Sequence, residues 1–157
     1  MLPAMSYNQL ITDYEQGAQL LSKAIAGMTT DQLKARPVPG KWSTLELICH
    51  IADFEPVYAD RMKRVIAEEN PPLLSGDPDL FLKGLAYHDR DAQEEIALID
   101  IVRKQMARIL RTLPDAAFAR VGTHSRDGAL SLETLLKRIT GHIPHHVKFI
   151  AEKRAAL

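Results

Sequence analysis

The 157-residue chain has a single cysteine, Cys49, a single tryptophan, Trp42, and 6% aromatic residues. One thiol excludes an internal disulfide, and a reducing cytoplasm is the expected location. Lysine and arginine number 20 and so do aspartate and glutamate, so no net charge marks a nucleic-acid footprint. No apolar run approaches the roughly 20 residues that span a bilayer. The opening "MLPAMSYNQLITDYEQ" lacks the basic flank and apolar core of a signal peptide. Sustained two-residue alternation is missing as well, which removes the pattern of half-buried strands. A chain of this length is expected to form one domain, residues 1–157, with a core that needs no covalent staple.

What the sequence does carry is helical periodicity in four segments. The first runs from about Ser6 to Gly27, with Leu10, Tyr14, Ala18, Leu21, Ile25 and Met28 along one stripe. Ser6 and Gln9 have the spacing of a capping box. The second begins at "STLE", where Ser43 and Glu46 have the same spacing, and continues to about Glu69. Leu47, Ile51, Phe54, Tyr58, Met62 and Val65 face inward. "NPPLLSGDPDL" ends it, and the stretch to about His88 reads as a long excursion of the kind that covers functional sites. The third covers roughly Asp91 to Leu113, with Ile96, Ile99, Val102, Met106, Ile109 and Leu113 on its stripe. Residues 114–128 form a second long connection, a short hairpin or a plain loop. Ser131 caps the fourth helix, which reaches about Arg154. Four amphipathic helices without strands predict an all-α four-helix bundle.

"GHIPHHVKFI", residues 141–150, breaks the rules of such a bundle. The inner seam of the fourth helix steps through 135, 139, 142, 146 and 149, so His142 and His146 occupy places that normally hold leucine. Residues four apart stack on one face, and their ring nitrogens can converge on one ion at about 2.0–2.1 Å. Two buried imidazoles without partners would cost on the order of 1–3 kcal/mol each, which a metal removes. The competing reading is ordinary, since buried histidines are usually hydrogen-bonded core residues and HxxxH arises often by chance. Bis-histidine haem ligation is a further option, although three clustered imidazoles favour a small ion. His145 sits off the seam and reads as a flanking residue. Pro144 removes the hydrogen bond to the Thr140 carbonyl, and Pro56 likewise frees Ala52.

His50 follows the second helix cap, and Glu46 and Asp53 share its side of that helix. Either carboxylate could orient the His50 ring through its second nitrogen, or lie on a solvated face. Arg61 is expected to meet an anionic substrate group or, preferably, to pair with an acid of a neighbouring helix. His88 and His124 read as surface loop residues. Trp42 reads as a staple against the bundle, and Cys49 as a packed small residue.

"PGKWS", the following Glu46, His50, Asp53 and Glu55, and the closing "GHIPHHVKFI" together resemble the DinB/YfiT-like superfamily over nearly the whole chain. The resemblance implies a four-helix bundle, commonly a homodimer, in which three histidines hold zinc, nickel or a similar divalent ion. By position those ligands are His50, His142 and His146. Some members are thiol S-transferases that use bacillithiol or mycothiol, and others are described as metal-dependent hydrolases. The implied partners are therefore a small-molecule substrate and a low-molecular-weight thiol, with Glu46 and Asp53 as candidate catalytic bases. A non-enzymatic metal-binding protein related to stress is the third possibility.

Overall fold

Each long helix begins where a side chain satisfies its first unpaired amides. The computed structural model describes residues 7–157. Ser43 accepts from the Glu46 amide at 3.0 Å while the Glu46 carboxylate accepts from the Ser43 amide at 3.0 Å, and helix α4 follows as Thr44–Ala67. Asp91 caps α6, Ala92–Leu110, through the amides of Gln93 and Glu94. Ser131 caps α7, Leu132–Ala155, through the Thr134 amide. These caps satisfy donors that no intrahelical carbonyl can reach. The expected Ser6–Gln9 cap lies outside the described residues.

The first expected helix is two, α1 (Tyr7–Glu15) and α2 (Gly17–Ala24), separated at Gln16. A Cβ on Gly17 would lie 2.2 Å from Arg103 Nη1, so a guanidinium occupies the space that a side chain would need. Short helix α3, Thr30–Lys34, follows, held by a Thr29–Gln32 capping box. The stripes are buried largely as the periodicity predicts: Leu10, Tyr14, Ala18, Leu21 and Ile25 on the first arm, and Leu47, Ile51, Phe54, Met62 and Val65 on α4. On α6 the buried line is Ile96, Ile99, Arg103, Met106 and Leu110, with Val102 and Ile109 only half-buried at its edge.

Helix α4 packs chiefly against α6 and α7, and the α1–α2 arm packs against the same two helices. Consecutive arms α1–α2 and α4 therefore stand across the bundle from each other, and the same holds for α6 and α7. Only long connections permit that order, because short loops force antiparallel neighbours.

The two longest connections carry structure of their own. Residues 68–91 contain strand β1 (Pro72–Leu73), helix α5 (Pro78–Gly84) and a single 3₁₀ turn at Tyr87–Asp89. Residues 111–131 contain strands β2 (Val121–His124) and β3 (Gly128–Ser131). β2 and β3 pair as an antiparallel hairpin that closes at Gly128, whose φ of 74° suits a glycine. β1 adds in parallel to β2, so the sheet order is β1-β2-β3. The bundle is thus not purely helical, and this small sheet ties both connections to one side of it. No helix among the described residues is long and apolar enough to cross a membrane.

Candidate metal centre

Side-by-side packing of α4 and α7 sets His50 opposite His142 and His146. His50 Nε2 lies 3.0 Å from His142 Nε2, and His146 Nε2 lies 3.1 Å from it. One ligand atom from each of the three rings falls within 4.8 Å of the others. Three nitrogens on a tetrahedral zinc at about 2.0–2.1 Å are about 3.3–3.4 Å apart, close to the spacing observed. The donor set therefore fits a divalent ion that retains an open coordination position.

The rings are kept neutral, as metal ligation requires. Burial pushes the His50 pKa down to about 4, against the opposing pull of Asp53. Burial lowers His142 to about 3, helped by His146, His50 and Arg103, and lowers His146 to about 4, helped by His50 and His145. Unfolded histidine titrates near 6.5. Between pH 6.5 and about 4 the unfolded chain therefore binds protons that the folded site refuses, so stability falls as pH falls through that window. It levels off once the folded rings also titrate. The melting temperature of metal-free protein is expected to drop across this range, and less steeply in His142→Ala. A flat profile in the parent protein would contradict the burial of these rings.

Neither Glu46 nor Asp53 touches the histidines in the expected way. The Nδ1 atoms of His50, His142 and His146 have no hydrogen-bond partner among the described residues. Packing orients the rings instead: Trp42 meets His50 edge-on at 5.6 Å, and Phe54 lies against its ring at 5.0 Å. Glu46 accepts from Arg36 Nε at 2.8 Å and Arg36 Nη2 at 3.0 Å. Burial pushes its carboxyl up, but Arg36 and Ser43 outweigh that and hold it below the usual range. Asp53 accepts two hydrogen bonds from Arg90, at 2.7 and 3.1 Å, and Arg90 also grips Glu95. Arginines from the connections flanking α4, ten and 37 positions away, thus occupy both proposed bases.

Other expectations are corrected too. Arg61 is buried and makes no salt bridge among the described residues; its Nε and Nη2 donate to the Leu74 carbonyl at 3.1 and 2.5 Å. His124 is buried at the end of β2 rather than exposed in a loop. Phe149 is 38% exposed, and the buried line of α7 passes through Ile150 instead. His145 is exposed beside His146 and Phe149. His88 is exposed as expected, with Nε2 3.0 Å from Arg36 Nη2. Cys49 is fully buried, its thiol pushed up to about 12 by burial, and reads as packing. α7 runs unbroken through Pro144, as α4 does through Pro56.

The sequence pattern of the DinB superfamily matches residues 13–150. A Bacillus subtilis protein named "Putative metal-dependent hydrolase YfiT" is 27% identical over 84% of this chain and 75% of its own length. An Oceanobacillus iheyensis protein, also named "Putative metal-dependent hydrolase", is 25% identical over 91% of this chain and 83% of its own. The solved structure of YfiT from Bacillus subtilis, described as "a probable metal-dependent hydrolase with an unusual four-helix bundle topology", superimposes with a TM-score of 0.90. That likeness, at 24% identity, covers 99% of this chain and 89% of the solved one, and it shows the bundle fold. The matched stretch runs from the first arm past all three clustered histidines, and this chain belongs to the DinB superfamily.

Proposed function

We propose that this protein is a divalent-metal-dependent enzyme that transfers a low-molecular-weight thiol to a small electrophile at His50, His142 and His146. The observation that carries this reading is the engagement of both candidate bases. Glu46 is held by Arg36 and Asp53 by Arg90, so hydrolysis would lack a carboxylate free to take a proton from water. A divalent ion, when bound, supplies Lewis acidity that lowers the pKa of a thiol or a water toward neutrality. Three neutral imidazoles leave its double charge uncompensated, which favours an anionic partner, and thiolate is the softer choice for zinc.

The chain's residues do the rest. Burial keeps all three rings unprotonated, while Trp42 and Phe54 pack against the His50 ring. In the transfer the thiol proton passes to solvent, a carbon–sulfur bond forms, and the carbon–halogen bond of a haloarene breaks with its electron pair leaving as halide. The second reading, hydrolysis on the same histidines, has the names of the relatives in its favour.

A panel of thiols with a chromogenic haloarene or epoxide, run beside a panel of esters and amides, separates the two. Metal-dependent turnover is expected with a thiol, and His146→Ala is expected to abolish it. Turnover confined to esters or amides would make the protein a hydrolase. Silence in both panels would leave a binding protein.

A further inference from the structure

A cavity of about 240 Å³ opens directly against His142 and Phe54, and its other walls are unusually cationic. Arg61, Arg126 and Arg138 line it with one carboxylate, Asp127. Asp127 is already bound by Arg138 at 2.8 Å. Arg61 has no acid partner among the described residues, although it is only 6% exposed. Its guanidinium lies over the Tyr58 ring at 4.8 Å and is pinned by the Leu74 carbonyl. Burial outweighs the nearby charge of Asp127 at this guanidinium, and carboxylate and phosphoryl groups are the ligands its fork matches.

His124 adds a neutral donor. Its Nδ1 accepts from the amides of Arg126 and Asp127, at 3.2 and 3.1 Å, so the ring proton resides on Nε2. This arrangement is built by the small sheet. β1 pairs with β2 and the Ser125 amide donates to the Leu73 carbonyl, which holds the Leu74 segment beside the hairpin that carries His124 and Arg126. A second cavity, about 590 Å³, adjoins the first at Arg61, Ser75 and Gly76, and Val57, Leu74 and Phe81 form its apolar wall. The acid on that side, Asp60, is paired with Arg64 at 2.8 Å.

We propose that the cavity against His142 is an oxyanion subsite, so that the organic substrate brought to the three histidines carries a carboxylate or phosphoryl group. Arg61 and His124 hold that group, Arg126 attracts it, and the adjoining cavity takes the apolar remainder. This rests on the reading of the histidines as a metal-dependent catalytic centre.

The test uses zinc-loaded protein and two probes with the same metal-binding head: the monohydroxamate of succinate and the uncharged butyrohydroxamate. Calorimetry is expected to show the carboxylate-bearing probe binding about tenfold tighter or more, the scale of a charge-assisted hydrogen bond. The gap should close in Arg61→Gln, narrow in Arg126→Gln, whose exposed position leaves the fold intact, and shrink with salt. Equal affinities in the parent protein, or a gap untouched by both substitutions, overturn the subsite. A zinc-loaded protein that binds neither hydroxamate would instead sink the metal-centre reading. The cavity is then judged by inorganic phosphate on metal-free protein, where binding lost in Arg61→Gln supports the subsite and no binding overturns it.

Discussion

Protein purified without a histidine tag is expected to carry about one divalent ion per chain, and His142→Ala to carry almost none. His142 is the middle member of the cluster, with its Nε2 at 3.0 Å from His50 Nε2 and 3.1 Å from His146 Nε2. Removing it leaves two imidazoles from different helices and an empty place between them. Loss of an outer partner of a metal ligand typically costs about 10–100-fold in affinity, and loss of a ligand should cost more. His50→Ala should behave alike. His145→Ala should keep its ion, since that ring is exposed and lies outside the cluster. Elemental analysis of the four proteins decides the matter. An ion retained in His142→Ala and stripped in His145→Ala would overturn the ligand assignment.

The three-residue and four-residue spacings of a helix made much of this centre readable. HxxxH stacks by geometry alone, and the caps at Ser43 and Ser131 announce themselves through short-range spacing. That His50 belongs with the pair was not legible from spacing; it required the resemblance, because 92 positions separate it from His142. The fate of Glu46 and Asp53 was hidden for a different reason. Their partners, Arg36 and Arg90, come from connections whose paths no local pattern sets. The β2–β3 hairpin stood in the sequence only as an alternative to a plain loop, and β1 was illegible, because these strands are only two to four residues long and gain stability through pairing across the sequence. His124 therefore looked like a loop residue, although its backbone belongs to β2. The exposed Phe149 shows the limit of a fixed seam: over three turns a step of four rather than three moves the buried position to Ile150.

Arg103 was overlooked because a charged residue on an apolar stripe is naturally discounted, and it underlies the largest expected effect on stability. Its side chain is fully buried and joins every arm of the bundle. Nε donates to Glu55 Oε1 of α4 at 2.9 Å and Nη2 to the same oxygen at 2.5 Å. Nη1 donates to the Tyr14 carbonyl of α1 at 2.7 Å, and Nη2 also to the Ile139 carbonyl of α7 at 2.9 Å. The guanidinium lies 4.7 Å over the Tyr14 ring and fills the space left by Gly17. Such a pair adds little net stability relative to well-packed apolar residues, because desolvation offsets its attraction. Losing one member is different, since the other charge is then buried alone. Glu55→Ala is therefore expected to cost about 3–5 kcal/mol. At about 2–4 °C per kcal/mol for a chain of this size, the melting temperature should fall by roughly 10 °C. Melting should be followed in metal-free protein, so that loss of an ion does not enter the comparison. The double change Glu55→Leu with Arg103→Met removes both charges and is expected to melt above Glu55→Ala. A cost below about 1 kcal/mol for Glu55→Ala would mean that Arg103 finds solvent or another acceptor, and that it does not anchor the four arms. Ile139 lies one turn before Ile143 on the helix that carries two of the histidines, so loosening this joint should also weaken metal binding without touching a ligand.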